Sequence, residues 1–197
     1  MNDRENYLEN ELIQLSDKAK LLFAVLTCDH LYPNYVHFNN AAGWGNPRIL
    51  RNAINSVFMY LIDDSLFDTI EIRTILEEVD GITPDTEDFT EVDASFALDA
   101  CTAVLGTLQF IIEPKVEFVI QVASYATDTV DMFILDRDDF DSNDPKVEVK
   151  VREDPLMIRE KDRQSDLIKK LSTMNLSKIT DTLFTSLRAD YTIINLY

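Results

Sequence analysis

A chain of 197 residues with 46% hydrophobic content, four Gly and six Pro can bury roughly 70% of its unfolded surface as one domain, a composition that excludes disorder. Its formal net charge is −18, from 36 acids against 18 bases. A field of that sign repels nucleic acid and anionic membrane and attracts basic proteins, so neither of the first two is an expected partner and a basic protein is.

Apolar spacing is helical almost throughout. A short polar lead-in helix is predicted near Leu8 to Leu15, followed by a helix capped by Ser16 whose core positions include Leu22, Val25, Leu26 and Cys28. The segment Leu31 to Phe38 is denser in aromatics than a connection requires, and Trp44 follows in A-A-G-W-G. Such rings fix a junction when buried and anchor a partner when exposed. Asn46 and Pro47 form an N-cap with Pro at the first helical position, before Leu50, Ile54, Val57, Phe58 and Leu61 at spacings of three and four. The pattern continues from Ile70 to Asp80 through Ile72, Ile75, Leu76 and Val79, with Gly81 as its stop.

The following loop, I-T-P-D-T-E-D-F, is acidic. Residues 63 to 93 hold twelve acids and one base, whereas 146 to 197 hold eight acids and ten bases. Thr90 is predicted to cap a long helix, with Asp93 three residues on as a variant capping box. Its inner stripe is Ala97, Cys101, Val104, Leu108 and Ile111, and Pro114 either starts the next helix or kinks this one. Val119, Val122, Ala123, Ala126, Val130 and Phe133 form the core face of the helix after it, and these two helices are the predicted centre of the fold. Pro155 to Leu171 and Leu176 to Ala189 complete the helices, the last with Ile179, Leu183, Phe184 and Leu187 inward. Strand-like alternation is limited to Val147, Val149 and Val151 and to the tail Thr192 to Tyr197. Residues 1–197 are therefore expected to form one compact all-α domain, a bundle of seven or eight helices.

The chemistry-bearing residues are sparse. The run Asp136, Asp138, Asp139, Asp141, Asn143, Asp144 suggests calcium, but an EF-hand register from Asp139 puts Asp144 at the Gly position and Lys150 at the bidentate Glu position. Cys28, His30 and His37 lack metal or nucleophile spacing, and Cys101 lies on another helix, so the cysteines are expected as reduced core thiols. Asp93 and Asp99 share a helix. At about 100° per residue from Ala97 and Cys101, Asp99 points nearly opposite the core while Asp93 lies at its edge. There is no phosphate-binding Gly loop and no G-x-S-x-G elbow. No cofactor, metal or catalytic residue is expected. The first ten residues carry charges in place of an apolar signal region, and no uninterrupted apolar run nears the length of a membrane span, which predicts a cytoplasmic protein.

The motifs L-Y-P-N-Y at Leu31 to Tyr35 with Phe38, E-D-F at Glu87 to Phe89, D-A-C-T-A-V-L at Asp99 to Leu105 and L-R-A-D at Leu187 to Asp190 resemble the YjaG-like family of bacterial domains of unknown function. The resemblance runs from about Leu21 to Asp190. It implies a compact all-α fold and transfers no activity and no catalytic residue. The leading expectation is a non-enzymatic acidic interaction domain, specifically an immunity-type inhibitor covering a basic toxin or nuclease. Its candidate partner-binding residues are Asp85, Glu87, Asp88, Glu91, Asp93, Tyr32, Tyr35 and Trp44. The alternative is a YjaG-like cellular protein with a housekeeping or regulatory role, as a possible homodimer.

Overall fold

The structure, a computed structural model, describes residues 3–140 and 146–196. Among them the chain forms nine α-helices and no strand: α1 Asp3–Gln14, α2 Asp17–Ala42, α3 Pro47–Ile62, α4 Thr69–Asp80, α5 Asp93–Ile112, α6 Val116–Arg137, α7 Val147–Glu153, α8 Pro155–Thr173 and α9 Asp181–Leu187. The all-α expectation stands, and the count exceeds seven or eight. One extra helix is α7, where alternating valines predict a strand. Val147 and Val151 are four apart and so share a helical face as readily as a strand face, and Val151 is buried while Val149 is exposed.

The centre of the bundle is α2 packed on α5, with α6 packed against both. The expectation of α5 and α6 as the centre therefore omits the most enclosed helix. Leu21 through Cys28 are buried without interruption, so α2 shows no single inner face and its periodicity gives no amphipathic signal. It also runs straight through the predicted connection, with Pro33 inside the helix. An interior Pro costs on the order of 3 kcal/mol. Leu31, Tyr35 and Phe38, all fully or nearly fully buried, offset that cost by removing large apolar surfaces from water. The helix stops at Gly43, whose φ of 65° is left-handed and whose N–H donates to Asn39 O at 2.9 Å.

Local capping sets the other ends. Ser16 Oγ accepts from Ala19 N at 3.3 Å and opens α2, and Asn46 Oδ1 accepts from Arg48 N at 3.1 Å and opens α3. Asp68 accepts from the N–H groups of Ile70 and Glu71, while Glu71 Oε2 accepts from Asp68 N at 2.8 Å, a complete capping box for α4. Gly81 does close α4, in right-handed geometry.

Thr90 does not cap α5. The chain enters that helix through a backbone turn, with Ser95 N donating to Val92 O at 2.9 Å, and Val92 at the cap makes no side-chain bond. Pro114 lies between α5 and α6, separating two helices instead of kinking one. Both are long and apolar enough to cross a membrane by length and composition, which discontinuous apolar runs conceal; much of α5 is enclosed by α2, α4 and α6. The helix predicted over Leu176 to Ala189 shortens to α9, because Thr180 caps it by accepting from Leu183 N. Leu176 and Ile179 are buried in the turn before it, and the tail is anchored by buried Ile193 and Ile194.

One hydroxyl ties three of these segments. Tyr35 Oη donates to Ile82 O at 2.7 Å and accepts from Asn46 N at 3.2 Å, linking α2 to the segment after α4 and to the start of α3. Gly45, at φ 84°, passes so close that a Cβ there would run into the hydroxyl. Tyr35→Phe leaves a carbonyl and an N–H without partners and is expected to cost about 1 to 3 kcal/mol in urea unfolding at an unchanged slope. A loss of only a few tenths would show that the bond carries no weight.

Candidate functional site

Two surfaces carry concentrated chemistry. The first lies where α2 ends. Phe38, Trp44 and Phe89 form an aromatic cluster with ring centroids 4.9 to 6.0 Å apart, edge to face. Phe38 is buried, whereas Trp44 is 37% exposed. Asn39 Nδ2 donates to Trp44 O and Gly45 O and fixes the indole's backbone. Phe89 ends a single 3₁₀ turn over Thr86–Asp88, capped by Asp85 through Glu87 N at 3.0 Å. Asp85, Glu87, Asp88 and Glu91 are exposed around it. Asp93 reaches His37 Nε2 at 3.2 Å and so faces the same end of α2.

The fold thus brings Trp44 to the acidic segment, a proximity invisible in the sequence. The other two aromatic candidates are not part of the exposed surface there: Tyr35 lies beneath the cluster, its ring 6.3 Å from that of Phe38. Tyr35 is buried in the core, with burial pushing its hydroxyl up to about 12. Tyr32 lies beneath the Arg51 guanidinium, 3.8 Å from ring centroid to carbon.

The carboxylate placed outside by helical angles is inside. Asp99 is buried between α5 and α6, where its Oδ2 accepts from Thr129 Oγ1 at 2.8 Å. The wheel argument assumes one inner face, but α5 is packed by α2, α4 and α6 and buries several. Burial pushes the Asp99 carboxyl from 3.8 to about 7, with Asp128 adding repulsion and Thr129 opposing. Both cysteines are free and buried, and burial raises each thiol to about 12. Cys28 Sγ contacts Thr107 Oγ1 at 3.2 Å, the behaviour of a packed core thiol. Among the described residues no three His, Cys, Asp or Glu side chains are grouped to hold a metal; Asp141, Asn143 and Asp144 of the acidic run lie outside the described residues.

The folded state holds the Asp99 proton more tightly than the unfolded chain, so it binds the extra proton between about pH 4 and 7 and stability falls as pH rises through that window. Asp99→Asn removes this loss. Between about pH 5 and 8 the wild type is expected to lose roughly 2 to 3 kcal/mol more than the variant in denaturant titrations. Parallel pH profiles would show that Asp99 ionises normally.

The second surface is a cavity of about 460 Å³ between α2, α3 and the segment after α9, with Asp29, His30, Arg51, Asn55, Arg188 and Tyr191 in its wall. Asp29 is clamped by two guanidinium groups: Arg51 Nη1 donates to its Oδ1, and Arg188 Nε pairs with Oδ2 at 2.9 Å. Behind it Arg163 makes a two-pronged bond to Glu160, with Nε to Oε2 and Nη2 to Oε1 both at 2.7 Å. Gln164 Nε2 donates to Glu160 Oε1 at 2.8 Å and to Ala123 O at 2.9 Å, joining α8 to α6.

Burial alone would raise the Glu160 carboxyl, but Arg163 reverses this and holds it below the ordinary value, so the pair is ionised. Burial, reinforced by Arg163, lowers His30 to about 4 and keeps it neutral, so the 3.8 Å approach of its Nε2 to Glu160 is not an ion pair at neutral pH. That nitrogen has no hydrogen-bond partner. Arg159 donates to Thr192 O and Ile193 O at 3.0 and 2.9 Å and lies over the Tyr191 ring, which tethers the tail beside the cavity.

Of these residues only His30 stands out in the sequence, as part of the Cys28, His30, His37 group, and not as a cavity residue. One signal existed: Glu160 and Gln164 occupy inward positions of α8 among Met157, Leu167, Ile168 and Leu171, and polar side chains inside an apolar stripe demand partners. The Asp29 clamp spans 22 and 159 residues of sequence and gave none.

The DUF416 family model, described as a protein of unknown function, matches residues 7–194. The chain is 23% identical over 188 residues to the uncharacterized protein YjaG of Escherichia coli strain K12, covering 94% of this chain and 91% of the relative. A crystal structure of a DUF416 family protein from Shewanella baltica OS155 superposes with a TM-score of 0.81 at 27% identity, over 91% of this chain and 90% of that one. With a family match over nearly its whole length and the same helical fold in a solved structure, the chain belongs to the DUF416 family.

Proposed function

We propose that this protein is a non-enzymatic, cytoplasmic interaction domain with a cellular, housekeeping or regulatory role, whose partner presents a basic surface to the ledge of Trp44 and residues 85–91. The observation that carries this reading is a partly exposed indole, packed edge to face on Phe89 next to four exposed acids with which no base among the described residues forms an ion pair. An aromatic anchor within a charged rim is the arrangement that concentrates binding energy at the centre and steering at the edge. An immunity-type inhibitor of a basic toxin or nuclease is the narrower form of this reading. A relative matched over nearly its full length as an uncharacterized protein supports the broader cellular role.

A homodimer is a second reading, supported by the exposed apolar side chains of Met59, Ile62, Leu66 and Ile70 at the end of α3 and the start of α4. Light scattering of the purified chain separates a self-associating protein from a monomer awaiting a partner.

Replacing Asp85, Glu87, Asp88 and Glu91 by Asn or Gln leaves the core untouched. It is expected to slow association with a basic partner captured from the host by about tenfold and to flatten the salt dependence of the on-rate. Trp44→Ala is expected to speed dissociation instead. Kinetics at two ionic strengths check both. An on-rate indifferent to salt and to the four substitutions would reduce the acids to a solubilising surface.

A further inference from the structure

We infer that the cavity walled by Asp29, His30, Arg51 and Arg188 is a binding site for a small organic anion carrying a carboxylate or phosphate group. Its volume of about 460 Å³ falls within the range of small-molecule sites. Its local charge opposes that of the whole protein. The wall holds two guanidinium groups, Arg51 and Arg188, against one carboxylate, Asp29, an excess of one positive charge in a chain of net −18. A structural ion pair needs one base for Asp29. Here there are two.

The forks are held in place before any ligand arrives. Arg51 lies over Tyr32 at 3.8 Å, Arg188 over Phe184 at 4.5 Å and Arg159 over Tyr191 at 4.4 Å, so ring faces fix three guanidinium planes. Each guanidinium has five N–H donors. Asp29 engages only Nη1 of Arg51 and Nε and Nη2 of Arg188, leaving N–H groups of both arginines for an oxyanion.

His30 forms part of the wall beside Asp29, and its buried Nε2 is turned toward Glu160, 3.8 Å from Oε2, so the ring shapes the cavity while the guanidinium groups supply the donors. Size decides the ligand class. The acidic exterior repels polyanions such as nucleic acid, whose charge adds over many phosphates, but weakly opposes a molecule with one or two charges that fits inside. The segments that carry the family resemblance also meet here: Pro33 of L-Y-P-N-Y and Arg188 and Ala189 of L-R-A-D are in the wall.

The test is calorimetric and thermal titration of the intact protein with inorganic phosphate, succinate and citrate at constant ionic strength, with sodium chloride as the control. Saturable binding at one site per chain is expected for at least one of the three, with a matching rise in melting temperature, and the phosphate and carboxylate arms identify the group recognised. Arg188→Gln is expected to weaken that binding by about tenfold or more, as loss of a charge-assisted contact does. Arg51→Lys, which keeps the charge but not the fork, is expected to weaken it as well. Arg48→Gln, an exposed charge outside the cavity wall, is expected to change nothing. The inference is overturned if none of the three anions binds saturably. It is equally overturned if Arg188→Gln, shown folded by circular dichroism, binds as wild type, or if Arg48→Gln loses as much.

Discussion

Glu160 and Arg163 bring opposite charges into the interior of a helical bundle, and the arrangement of α8, the tail and the cavity depends on their staying together. Each ion loses several kcal/mol of hydration on burial, which only close, two-pronged geometry returns. The pair has that geometry, and Gln164 extends it to the backbone of α6. Arg163 also reaches Thr27 on α2 at 3.4 Å. Three helices are thereby held in one register. From α8 in that register Arg159 extends to the tail and positions Tyr191 against His30, with ring centroids 5.4 Å apart.

Seen from this network, the charge distribution has two layers. Acids dominate the exterior and are densest along α4 and the loop after it, where Phe89 meets Trp44. Guanidinium groups gather around one cavity between α2 and the C-terminal segment, where Arg51 and Arg188 are partly exposed and Arg163 is buried behind them. The outer layer acts over a Debye length, roughly 8 Å at physiological salt, and selects what approaches. The inner layer acts at contact distance and selects what fits. Buried Asp99, bonded to Thr129 across α5 and α6, adds a pH-dependent cost to the core itself.

Much of the helix pattern was legible because local chemistry writes it. Ser16, Asn46 with Pro47, and Pro155 mark helix starts through their own side chains or rings, and the stripe Leu50, Ile54, Val57, Phe58, Leu61 is buried as its spacing requires. The misreadings share a physical origin in burial on more than one face. Residues 31–38 of α2 and Asp99 of α5 belong to helices packed on several sides, where a wheel drawn around one inner stripe loses its meaning. Thr90 and Leu176 fit helix starts by spacing, but a backbone turn opens α5 and the side chain of Thr180 opens α9. The acidic ledge was half visible, since the acids and Trp44 were identified but not their proximity. The cavity was invisible because Asp29, Arg51 and Arg188 meet only after α2, α3 and the C-terminal segment have packed.

The central claim is that Glu160 and Arg163, both on α8, form a buried and strongly coupled ion pair on which the packing of α8 depends, and a double-mutant cycle tests it most directly. Unfolding free energies are measured for Glu160→Met, Arg163→Met and the double variant. The single variants are expected to lose roughly 3 to 5 kcal/mol each, because each strands a buried charge. The double variant should lose much less than their sum, with a coupling of about 2 kcal/mol or more. Small, additive losses below about 1 kcal/mol, the signature of an exposed pair, would contradict the account.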